Sequence, residues 1–152
     1  MMKQCRNLGI VVLAISILGA GMISGSPAQA DPLKDRKAAM KKMSKANKAI
    51  KQAAKAGDAA AVTREARVIV AVTRQIEALF PKGTGRAELG QKATRAKDVI
   101  WQDWAKFQTR IKALRSAASG IAGGDMKAAL KGVGKRCSAC HKLFRGKKPK
   151  KS

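Results

Sequence analysis

The sequence predicts an all-α protein folded as an up-down-up-down four-helix bundle. Apolar residues recur at helical spacing in four stretches, and no stretch sustains the alternation of a half-buried strand. Residues that start or stop helices, among them Pro32, Gly57, Asp58, Pro81 and Asp125, fall between those stretches. The connections are mostly short, which makes consecutive helices antiparallel neighbours.

The first helix is expected over Leu33 to Ala56. Pro32 suits its first turn and Gly57 its stop. Leu33, Met40, Met43, Asn47, Ile50 and Ala54 share its inward face, and lysines fill the others. The second helix runs from Asp58, an N-cap candidate, to Leu79. Val62, Ala66, Ile69, Thr73, Ile76 and Phe80 form its apolar stripe, and Pro81-Lys82-Gly83-Thr84-Gly85 ends it. Residues 81 to 94 read as the longest loop. The third helix is expected over Arg95 to Ala118, with Ile100, Trp104, Phe107, Ile111 and Leu114 inward, and with Gly120, Gly123 and Gly124 breaking it. The fourth begins at Asp125 and carries Leu130, Val133, Cys137, Cys140, His141 and Phe144. Gly132 and Gly134 weaken that helix slightly, a loss that a group bound on it would offset.

Residues 1–30 have a different character. Lys3 and Arg6 precede an apolar run from Leu8 to Ile23, and Ala28-Gln29-Ala30 supplies a small-residue cleavage site. This is the pattern of a cleaved secretory signal peptide and implies a periplasmic location. The bundle then occupies residues 31–146, and 147–152 form a basic tail. The chain carries 33 Lys and Arg against 9 Asp and Glu. Such charge often marks nucleic-acid binding, but export argues against that partner here. The charge would steer an acidic redox protein partner or an anionic membrane surface, and solubility alone is the competing reading.

Cys5 leaves with the signal, so Cys137 and Cys140 are the cysteines to explain. Cys137-Ser138-Ala139-Cys140-His141 is C-x-x-C-H, the spacing that attaches a c-type haem. Two thiols one helical turn apart each add to a vinyl group on one haem edge, and the next residue offers its imidazole to the iron. Three other readings compete. A redox-active disulfide usually opens a helix in a strand-containing fold. A structural bridge over two intervening residues closes a tiny loop and stabilises little. A zinc site lacks further ligands, because His141 is the single histidine. A haem-free basic adaptor with the two cysteines bridged belongs with these alternatives. No carboxylate pair, no nucleophile beside a base and no Gly-rich phosphate loop is present, so catalysis finds no support.

Four stretches together resemble the class II c-type cytochromes, the cytochrome c′ family. They are Arg36-Lys37-Ala38-Ala39-Met40-Lys41, Leu79-Phe80-Pro81-Lys82-Gly83-Thr84, Ile100 to Phe107 with its Trp101 and Trp104, and Cys137 to Arg145. The resemblance covers residues 33 to 146. It implies a four-helix bundle with one covalent haem c on the last helix and His141 as axial iron ligand. It also divides the function in two. In one branch a first-helix methionine closes the sixth iron position, giving a low-spin electron carrier. Met40 stands at that position, with Met43 as second choice. In the other branch the iron is five-coordinate and binds small gases such as nitric oxide or carbon monoxide. The first reading of this chain is the electron carrier and the alternative is the gas binder. The resemblance further suggests Arg36 as a propionate partner, Arg145 near the haem edge, and a homodimer through the first two helices. Trp101, Trp104 and Phe107 read as packing around the haem and core.

Overall fold

The structure, a computed structural model, describes residues 31–122 and 126–149, and its side chains outside 126–130. The signal peptide, Gly123, Gly124, the Asp125 cap, the Leu130 side chain and residues 150–152 lie outside the described residues. Helix α1 spans Pro32–Lys55, α2 Ala59–Gln75, α3 Arg86–Ala93, α4 Val99–Gln102, α5 Trp104–Ala122 and α6 Met126–Phe144. A 3₁₀ turn at Glu77–Leu79 follows α2. Helix α1 packs on α2, α2 on α5, α5 on α6, and α6 back on α1, which closes the four-helix bundle. No described helix is long and apolar enough to cross a membrane.

Local chemistry sets the first two helices. Asp31 caps α1 by accepting from the Leu33 and Lys34 amides at 2.9 and 3.1 Å, and Pro32 takes the first turn. Gly57 leaves the helix at φ +73°, where a side chain would be strained. Asp58 then caps α2 by accepting from Ala61 N at 2.8 Å. Every residue of the expected α2 stripe is buried. Thr73 in that stripe is satisfied by the Val70 carbonyl, and Arg115 of α5 donates to its carbonyl at 2.8 Å. On α1 the buried set is Arg36, Met43, Ala46 and Ile50, while Met40 and Asn47 are half-buried.

Three expectations are corrected. The loop read over residues 81 to 94 contains α3. This helix has no apolar stripe and leaves Leu89 exposed, so periodicity carried no sign of it. Asp98 Oδ1 accepts from Ala87 N at 3.0 Å in its first turn, and Gly90 at φ +76° breaks it. The third long helix does not begin at Arg95. Residues 95–97 are held instead against the C-terminal end of α6. Lys97 N donates to Phe144 O at 3.0 Å and Gly146 N to Arg95 O at 2.7 Å, around an antiparallel bridge between Ala96 and Arg145. Asp103 then breaks the helical path at φ −131°, and its carboxylate caps α5 through Lys106 N at 3.0 Å. Gly120 does not end α5, because buried Ala118 and Ile121 extend the stripe to Ala122.

Four aromatic rings join the helices under the C-terminal end of α6. Phe107 lies edge-on to Phe80 at 4.9 Å and to Phe144 at 5.2 Å, and 5.4 Å from Trp104. Phe107→Ala should therefore remove contacts to three aromatic rings at once. It should cost about 3–5 kcal/mol, seen as a lower urea midpoint with an unchanged slope in the holoprotein.

Candidate haem site

Helix α6 carries the motif. It is amphipathic with Val133 and Phe144 buried, and this phase leaves Cys137, Cys140 and His141 half-buried between core and solvent. Both cysteines pack against the hydrophobic core and neither is bridged. Burial raises both thiols above their usual range, and the neighbouring Cys137 helps push Cys140 up to about 11. They are protonated thiols at neutral pH, not the activated thiolates of a redox-exchange site. Nor do three His, Cys, Asp or Glu side chains converge among the described residues, so zinc has no ligand set.

The donor set fits haem c. Two thiols sit one helical turn apart on a helix margin that an apolar macrocycle would cover, as thioether attachment requires. His141 is an imidazole kept neutral, which iron ligation needs. Burial lowers its pKa, and the positive charges of Arg145 and Arg95 lower it further. Arg145 begins one turn after His141, with its amide donating to the His141 carbonyl at 3.0 Å. Its side chain is exposed, and its charge acts on His141.

Met40 lies on α1, half-buried and packed at the margin of the same core as Cys137 and Cys140. Arg36, one turn earlier, is more deeply held. Its Nε donates to Leu79 O at 2.9 Å, Nη1 to Thr84 O and Thr94 Oγ1 at 3.2 Å each, and Nη2 to Thr84 Oγ1 at 2.6 Å. The guanidinium also stacks 4.0 Å from the centroid of Phe80. Burial brings its pKa down to about 10, which leaves it a cation at neutral pH. Only one Nη2 hydrogen remains without a protein acceptor to offer a propionate, so the first role of Arg36 is to tie α1 to the turn after α2. Trp101 holds the same turn from α4, its Nε1 donating to Phe80 O at 3.0 Å. Sequence reasoning missed Thr84 and Thr94 as partners of Arg36. Thr84 stands in the quoted turn and was within reach, whereas nothing local to Thr94 signals its role.

A family model described as Cytochrome C' matches residues 31–145. A cytochrome c′ of Rhodopseudomonas palustris (strain ATCC BAA-98 / CGA009) is 32% identical over 145 residues, spanning 90% of this chain and 94% of that protein. The solved cytochrome c′ from Rhodopseudomonas palustris has a TM-score of 0.66 and 33% identity, over 80% of this chain and 100% of the other. A further solved relative, a cytochrome c′ described as showing an unusual ligand-controlled dimer dissociation, has a TM-score of 0.65 and 26% identity, over 79% of this chain and 100% of the other.

Two outcomes follow from this geometry. Arg36→Lys should destabilise the bundle by about 1.5–3 kcal/mol, because an ammonium cannot serve the four acceptors, while the mass of the attached haem stays unchanged. Replacing Cys137 or Cys140 alone by Ser should leave a single thioether, read as a red shift of the pyridine haemochrome band, and replacing both should leave a denatured chain without haem mass.

Proposed function

The chain belongs to the cytochrome c′ family, helical bundles that bind one covalent haem c, and we propose that it is a periplasmic haem protein that binds a small diatomic gas at the iron face opposite His141. The observation that carries this reading is the similarity to cytochromes c′ along nearly the whole chain. It moves the weight from the electron carrier, the first reading of the sequence, to the gas-binding alternative.

Bound haem c supplies an iron that takes a diatomic ligand when ferrous. The chain's own residues do the rest. The Cys137 and Cys140 sulfurs would hold the macrocycle on α6, and the imidazole of His141 would offer a nitrogen to its iron. Trp101, Trp104 and Phe107 pack against the core that Cys137 and Cys140 also touch. Periplasmic location rests on the signal-like residues 1–30. A homodimer is part of the proposal, in keeping with the dimer described for one relative.

The place of Met40 favours a second reading. A thioether four residues after the clamped Arg36, at the core margin, would close the sixth position and leave a low-spin electron carrier. Reduced spectra with and without carbon monoxide separate the two. A prompt carbonyl spectrum in the wild type supports gas binding, with Met40→Ala binding at a similar or faster rate. A wild-type spectrum that the gas leaves unchanged, with Met40→Ala alone forming the carbonyl complex, assigns the electron-carrier role and overturns the first reading.

A further inference from the structure

Five cations gather where α6 ends. Lys97 Nζ reaches the Lys142 carbonyl at 3.5 Å, Arg95 Nε donates to Gly146 O at 2.8 Å, and the Arg86 guanidinium packs against Gly146. Lys142 and Arg145 are exposed on the last turn of α6 and just beyond it. The helix dipole accounts for part of this charge, since cations are favoured near C-terminal carbonyls. It does not account for all of it, because the guanidiniums of Arg86 and Arg145 make no hydrogen bond among the described residues. Among the described residues none of the five forms an ion pair with a carboxylate, although Asp98 and Glu88 stand at Gly85 beside Arg86. The ion pairs among the described residues are Arg64 with Glu65 and Lys106 with Asp103, on α2 and at the start of α5. Residues 126–149 contain no Asp or Glu at all.

Unpaired like charges at one corner repel one another, and a docked surface of opposite charge relieves that repulsion. The corner also adjoins the axial histidine, through the Arg145 amide on the His141 carbonyl. We propose that Arg86, Arg95, Lys97, Lys142 and Arg145 form the docking surface for an acidic electron-donor protein that reduces the haem iron. This rests on the haem reading above. The donor is oxidised by one electron and ferric iron is reduced to ferrous, with no bond made or broken. Reduction prepares the ferrous form that takes a gas, and the same surface would serve an electron carrier.

The test follows reduction of the holoprotein by stopped flow. The donors are flavodoxin hydroquinone, an acidic one-electron donor protein, and hexaammineruthenium(II), a small cationic reductant. The double substitution Lys97→Glu with Lys142→Glu should lower the flavodoxin rate about ten-fold or more at low salt and flatten its salt dependence. The ruthenium rate should not fall. Lys48→Glu with Lys112→Glu, exposed positions on α1 and α5, makes the same change in net charge and should cost far less. Equal losses in both variants would assign steering to net charge and overturn the docking surface, as would no loss in either. Cosedimentation with phosphatidylglycerol vesicles that the first variant alone loses, with unchanged flavodoxin rates, would overturn it in favour of a lipid surface. A wild-type mass without haem would overturn the haem reading as well, whereas the rate outcomes overturn the docking surface alone.

Discussion

A guanidinium buried in an otherwise apolar bundle must find acceptors for its N–H groups or the fold pays their desolvation. Arg36 finds them in the Leu79 and Thr84 carbonyls and in the hydroxyls of Thr84 and Thr94, with the Phe80 ring against its face. These acceptors belong to the turn after α2 and to the segment before α4. One side chain of α1 therefore fixes the path of the chain between the two halves of the bundle. Trp101 adds a second bond to that turn. Among the described residues no carboxylate pairs with it, so the arrangement relies on hydrogen-bond geometry and not on an ion pair.

That constraint reaches the haem site along two routes. Met40 is one turn from Arg36 on α1, so the clamp sets its height in the bundle. Thr94 lies just before residues 95–97, which pair with residues 144–146 at the end of α6. The C-terminal end of α6 is thus tied to the same clamp through the segment between α3 and α4. Phe144 and Phe107 complete the connection through the core. A rigid frame of this kind suits a haem protein, whose ligand set must hold its geometry while iron changes oxidation state or takes a ligand.

The electrostatics of the site are equally one-sided. The groups that shift His141 are Arg145 and Arg95, and those acting favourably on the Cys137 and Cys140 thiolates are Lys51 and Arg110. Net positive charge is visible in composition alone. Its concentration at the C-terminal end of α6 depends on the pairing of residues 95–97 with 144–146, because Arg86, Arg95 and Lys97 are distant from Arg145 in sequence.

Much of the molecule was legible in the residues themselves. The α2 stripe from Val62 to Phe80, the Asp58 cap, the Gly57 stop and the bundle class follow from local periodicity and capping, which act within a few residues. The C-x-x-C-H motif was equally plain, because adjacent residues on one helix deliver both thiols and the imidazole. Helix α3 was hidden, since it buries no stripe. The late start of the third long helix was hidden too, since pairing with residues 144–146 overrides the helical tendency of 95–98. The sequence by itself determined the helices with apolar faces and the covalent haem motif. Tertiary structure alone decided that Arg36 is a buried clamp with Thr84 and Thr94, and that Arg86, Arg95 and Lys97 join the cations at the end of α6. The physical reason is range: caps and periodicity are local, whereas hydrogen-bond partners and charge neighbours are chosen by residues brought together only when the bundle closes.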